Sequence, residues 1–172
     1  SLPAEIPAAF VLAQHIDGNF QETLVKALKR NNDFRCEIAV EDSKLENGKI
    51  SIAPVGGEVS FTEAGKIKLT GRDWQGLYSP SIDQTIKNVA SCFGENTGAI
   101  IFSGMGNDGA ISARIMAEQG GTIWCQSAVS CIVSSQPDSV RDTGCVSFNG
   151  GPRELAHQFI HHLSAKLSVA QL

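Results

Sequence analysis

Residues 102–110 read FSGMGNDGA, in which Gly104, Gly106 and Gly109 match the G-x-G-x-x-G spacing of a dinucleotide-binding loop and Asp108 adds a carboxylate. Glycines so placed serve two chemistries: they let the backbone turn sharply and offer amide N–H groups to a phosphate or, equally, to the oxyanion of an acyl-transfer intermediate. The cofactor reading asks for an acidic residue about 20 positions on, at the end of the next strand, to hold the ribose hydroxyls. Trp124, Cys125, Gln126 and Ser127 stand there instead. It also sets the charge of Asp108 against a pyrophosphate, which is unfavourable. Hydrolytic chemistry suits the loop better. His15 and Asp108 each follow a short apolar run, and a histidine and an aspartate brought together at strand ends have the composition of a general base and its orienting carboxylate. Two plainer readings stand beside this one: Asp108 capping the helix after it, and His15 as a hydrogen-bonded residue at a strand end.

Placing those side chains requires strands that end side by side. Residues 8–14 (AAFVLAQ) and 99–103 (AIIFS) are short continuous apolar runs, as expected of strands buried on both faces of a parallel sheet. Further strands are predicted over 34–40, 49–54, 121–126 and 145–148, with a short one over 130–134. Segments 59–62 and 66–70, flanking Glu63-Ala64-Gly65, read as an antiparallel hairpin. Apolar residues at helical spacing predict helices over 19–30, ended by Asn31-Asn32-Asp33, over 79–93, opened by Ser79-Pro80-Ser81, and over 110–119. A short helix is expected over 138–142 and an amphipathic one over 152–167. Residues 71–78 (GRDWQGLY) lack a period and read as a surface loop. Alternating strands and helices imply an α/β fold: a doubly wound, mostly parallel sheet with helices on both faces and a small antiparallel hairpin. Sites in such folds gather at the carboxyl ends of the strands, where His15 and Asp108 fall.

The 172 residues suit one domain, and 42% hydrophobic with 19% charged residues is the profile of a globular protein. The apolar run near the start is far shorter than the roughly 20 residues that cross a bilayer. A net charge of −4, with basic residues scattered, argues against a nucleic-acid partner. Five cysteines at irregular spacing, with no C-x-x-C pair, read as buried reduced thiols of a cytosolic protein. His157 and His161 lie one helical turn apart, but no third ligand is evident, so a helix face is the better reading and no metal or cofactor is expected.

Segments 100–109 (IIFSGMGNDG), 126–133 (QSAVSCIV), SSQPDSV around Pro137, Ile52-Ala53-Pro54, Pro80-Ser81-Ile82-Asp83 and Ala13-Gln14-His15 resemble the catalytic domain of CheB-type protein-glutamate methylesterases in order and spacing. The likeness runs over nearly the whole chain and is nearest to the branch tied to type IV pili and twitching motility. It implies a cytoplasmic Ser-His-Asp hydrolase of chemotaxis signalling that removes methyl groups from glutamate γ-methyl esters on chemoreceptors, releasing methanol, with receptor glutamine deamidation in some members. By motif match His15 is the general base, Asp108 its orienting carboxylate, and the backbone N–H of Met105 an oxyanion donor.

One departure stands out. The family's nucleophile is a serine in a glycine-rich turn after its first strand, and that strand and turn are absent from residues 1–172, as is the family's amino-terminal receiver domain. Ser1 lies too close to His15 to be the nucleophile, and Leu2-Pro3 resembles the end of the helix that would follow it. Ser79, Ser81, Ser103, Ser127 and Ser130 lie near the expected site but read as hydrogen-bonding or capping residues. These residues alone are therefore expected to be inactive. The alternatives are a receptor-binding pseudoenzyme and a nucleotide-binding domain, and receptor docking is expected on the loops around Trp74 and Tyr78.

Overall fold

Two short parallel runs carry the site. In the computed structural model, which describes residue 2, residues 6–31 and residues 34–169, the first is β1 (Ala9–Leu12) and the second is β6 (Gly98–Ile101). Chain order is β1, α1 (Gln21–Asn31), β2 (Arg35–Ile38), β3 (Lys49–Ile52), β4 (Val59–Phe61), β5 (Ile67–Leu69), α2 (Ile82–Phe93), β6, α3 (Ala110–Glu118), β7 (Thr122–Gln126), α4 (Ser135–Arg141), β8 (Phe148–Gly150) and α5 (Pro152–Val169). Ser1, Pro3, Asn32 and Asp33 lie outside the described residues.

The parallel strands divide into two three-stranded sheets, ordered β1-β3-β2 and β6-β7-β8, beside the antiparallel β4-β5 hairpin. β3 is the centre of the first, with Ala9 and Arg35 both opposite Lys49. β7 is the centre of the second, with Ile100 and Phe148 on either side of Trp124. Alternation along β7 sorts its side chains: Ile123 and Cys125 pack with Ile86 and Ala90 of α2, Ala113 and Met116 of α3, and Val140 of α4. Trp124 points the other way, edge-on to Phe159 of α5 at 6.2 Å. Phe159 also packs on Phe10 of β1 at 5.6 Å, so one face of α5 touches both sheets. Neither the outer edge of β1 nor that of β6 has a ladder partner among the described residues. The hairpin turns at Gly65, whose φ of 73° suits glycine, and covers a cluster of Ala39, Ala53, Val59, Ile67 and Trp74.

Five local expectations need correcting. Residues 130–134 form no ladder strand: a 3-10 turn occupies Ala128–Ser130, and Ser103 Oγ takes the N–H groups of Ile132 and Val133 at 3.2 and 3.1 Å. Side-chain hydrogen bonds thus outcompete pairing in an apolar stretch that looks strand-like. α4 begins at Ser135 and the last strand at Phe148, because a turn at Thr143 intervenes, its hydroxyl accepting from Cys145 N at 3.2 Å. Trp74 is 6% exposed and donates its indole N–H to Pro54 O at 2.8 Å, so it belongs to the core under the hairpin and offers no docking surface. Of the five cysteines, Cys36 and Cys125 are buried, and Cys92, Cys131 and Cys145 are only partly so. Burial pushes the Cys125 thiol up to about 11, which keeps it protonated.

Glu58 joins the hairpin to α2. It is 3% exposed; Oε2 accepts from Arg72 Nε at 2.9 Å and Oε1 from Gln84 and Asn88 at 3.0 and 2.9 Å. Burial opposes its charge, but the hydrogen bonds of Asn88 and Thr70 and the Arg72 guanidinium outweigh it and hold the carboxyl below the usual glutamate range. A folded-state value below the unfolded one gives stability that is complete above the unfolded pKa and lost as pH falls through the folded one. Glu58→Gln should therefore lose about 1–3 kcal/mol at pH 7. In urea titrations repeated toward about pH 3 the gap to wild type should close; a gap independent of pH would show that the charge contributes nothing.

Candidate active site

At the end of β1 the chain runs through Ala13 and Gln14 to His15, then into a 3-10 turn opened by Asp17, whose side chain accepts from Asn19 N at 2.9 Å. At the end of β6 it enters the glycine loop and reaches Asp108. The two side chains meet, with His15 Nε2 2.8 Å from Asp108 Oδ2. Asp108 is 7% exposed, His15 24%.

Asp108 does not cap the helix that follows it. The residue opening α3 is Gly109, in the left-handed region and without a side-chain cap, while the Asp108 carboxylate crosses to α2. Its Oδ2 accepts from Ile82 N at 2.7 Å and its Oδ1 from Asp83 N at 2.8 Å, the first amides of that helix. Ser81 caps the same turn by accepting from Gln84 N at 3.2 Å. The carboxylate thus sits at the positive end of the α2 dipole, where a negative charge is favoured and held still. Asp83 ties the turn to α3 by accepting from Ser112 N at 2.8 Å. With both carboxylate oxygens accepting, the hydrogen at the histidine contact belongs to Nε2, so in the neutral imidazole the lone pair is on Nδ1.

The three glycines have structural causes that involve no phosphate. A Cβ on Gly104 would stand 2.0 Å from Gln136 Oε1, and Gly106 and Gly109 have φ of 99° and 103°. Near the start of α3, Ala110 N donates to Asn107 O and Ser112 N to Asp83, so a phosphate would have to displace protein acceptors. Several amides of the loop, that of Met105 among them, are left over. Gly104 N donates to Val133 O at 3.0 Å and Gly106 N to Ser135 Oγ at 3.2 Å, but no described residue accepts from Met105 N. The carbonyl of the same peptide unit, Gly104 O, accepts from Gln136 N at 3.1 Å, and because the unit is planar and trans its N–H points the opposite way.

Four of the five candidate serines are engaged elsewhere, and Ser79 is exposed. Ser103 Oγ donates to Val133 O at 3.0 Å, Ser81 caps α2, and Ser127 and Ser130 bond one another at 3.0 Å. None of the five is hydrogen-bonded to His15 among the described residues. Tyr78, expected only as a docking residue, stacks on His15. Gln136 left no trace in the sequence reading, since a lone glutamine before proline announces nothing, yet its Nε2 also donates to Asp108 O at 3.0 Å and so holds both ends of the glycine loop.

The His15–Asp108 pair lies at the carboxyl ends of parallel strands, and the family profile of CheB methylesterases matches residues 1–159. The chain belongs to the CheB methylesterase family. The crystal structure of the Thermotoga maritima CheB methylesterase catalytic domain superposes with a TM-score of 0.87 at 26% identity, covering 93% of this chain and 86% of that one. Among curated CheB relatives, a protein-glutamate methylesterase/protein-glutamine glutaminase of Saccharophagus degradans is 32% identical over 83% of this chain and 40% of its own length. One from Myxococcus xanthus is 30% identical over 83% and 42%. This CheB-family chain therefore spans about two fifths of those relatives. No helix among its described residues is long and apolar enough to cross a membrane.

Proposed function

We propose that this domain carries the base, the orienting carboxylate and an oxyanion donor of a cytoplasmic chemotaxis hydrolase that converts glutamate γ-methyl esters of chemoreceptors to glutamate and methanol. The observation that carries the reading is the 2.8 Å contact of His15 with an Asp108 already fixed by α2. Serine attacks the ester carbonyl as His15 Nδ1 takes its proton, and Asp108 stabilises the imidazolium through Nε2–H. The Met105 N–H receives the oxyanion. Collapse of the tetrahedral intermediate expels methanol, protonated by His15, and water activated by the same nitrogen then hydrolyses the acyl-enzyme. A primary amide in place of the ester would release ammonia by the same steps, the glutaminase chemistry that the relatives' names carry.

The reading needs a serine that no described residue supplies at His15. β1 and β6 end at one place, where His15 meets Asp108, and neither has a partner on its outer edge among the described residues; α5 packs on both sheets. A parallel strand between those edges, at the usual spacing of about 4.8 Å, would bring a serine at its carboxyl end beside His15. Exposed apolar side chains around the site, Leu77, Met105, Val129 and Ile132, support docking of a receptor helix. A receiver domain elsewhere in the full-length protein accords with the length of the relatives, and the assignment to the type IV pilus branch rests on sequence resemblance.

The test is methanol release from a methylated receptor by full-length protein. Release that disappears with His15→Ala establishes the esterase. No release from folded full-length protein would replace it with a receptor-binding pseudoenzyme.

A further inference from the structure

The phenol ring of Tyr78 lies flat on the imidazole of His15, with centroids 4.4 Å apart and planes 9° from parallel. Its hydroxyl reaches the glycine loop, where a Cβ on Gly106 would stand 3.2 Å from Tyr78 Oη. Tyr78 lies three residues before Ser81, the cap of α2, so the same stretch of chain that grips Asp108 also presents this ring. A single hydrogen bond leaves an imidazole free to swing about the Nε2–Oδ2 contact. A hydrogen bond at one edge together with a ring on one face fixes both position and plane, and hence the direction of the Nδ1 lone pair.

We propose that Tyr78 is a positioning residue for the base: by stacking on His15 it holds the imidazole with Nε2 on Asp108 and Nδ1 facing the nucleophile. The stack acts on the approach of the serine proton, so its loss falls on kcat. The catalytic part rests on the function proposed above, whereas the orientation of the ring is measurable without it.

The experiment has two arms. In the first, 15N-histidine spectra of this chain are recorded near neutral pH. His15 should be the Nε2–H tautomer, with ring protons shielded by the phenol. Tyr78→Phe should keep both features, and Tyr78→Leu should lose the shielding while the backbone amide spectrum stays native. In the second, full-length Tyr78→Leu should lose roughly three- to tenfold in kcat with KM unchanged, the size of one aromatic pair, with Tyr78→Phe close to wild type. His15 ring resonances indifferent to Tyr78→Leu would overturn the proposal. So would a change in KM alone, which would make Tyr78 a receptor contact. Inactive wild-type protein with the predicted spectra would count against the esterase and leave the ring orientation standing.

Discussion

Full-length protein carrying Asp108→Asn is expected to hydrolyse receptor methyl esters about four orders of magnitude more slowly, the scale on which a triad fails when its histidine is held in the wrong tautomer. The physical cause is a shortage of acceptors. Asp108 takes hydrogen bonds from His15 Nε2, Ile82 N and Asp83 N, two on Oδ2 and one on Oδ1. Asparagine has one acceptor oxygen and an NH2 group, so its amide must confront a donor. If the oxygen takes the Oδ1 place it keeps Asp83 N, while the NH2 faces both Ile82 N and His15 and selects the tautomer with its proton on Nδ1, useless as a base. If the oxygen turns to His15, a helix amide loses its partner. Steady-state methanol assays check the rate, and 15N-histidine spectra reveal which conflict the protein accepts. A loss of less than tenfold would remove Asp108 from the catalytic role.

Gly109→Ala is expected to have the largest effect on stability, about 2–4 kcal/mol in urea unfolding, combining left-handed backbone strain with overpacking. Its φ is 103°, and a Cβ there would meet Ile82 Cγ2 at 3.0 Å and Ile86 Cδ1 at 3.6 Å. Those side chains belong to the first turns of α2, so relief means pushing the helix start away from Asp108. Activity should therefore fall further than the unfolded fraction explains, measured well below the unfolding midpoint. Wild-type stability in this variant would mean that the loop relaxes freely and that the glycine is not needed for packing.

The parts of the fold legible in sequence were those with a local signature. AAFVLA and AIIFS read as buried parallel strands because they are short and apolar; β1 lies within the first, and β6 starts one residue before the second, at Gly98. The hairpin followed from Glu63-Ala64-Gly65, and the meeting of His15 with Asp108 followed from the tendency of α/β sites to form at strand ends. What escaped was the choice of partner over long separations. Nothing near Asp108 reveals that it serves a helix about 25 residues earlier rather than the one it precedes, and nothing near Trp74 reveals that Pro54 O satisfies its indole. The apolar SCIVS stretch misled because the hydroxyl that claims its amides belongs to Ser103, at the end of another strand.

The unequal ties of the two site residues bear on how such a domain ages once selection for hydrolysis relaxes. Asp108 anchors the start of α2 with two backbone hydrogen bonds, so its removal costs the fold whether or not the protein is an enzyme. His15 gives the fold one hydrogen bond and one stacked ring, and is partly open to solvent. A lineage drifting toward a non-catalytic role would shed the histidine first and keep the aspartate for stability alone. The aspartate therefore marks descent, and the histidine marks continued use.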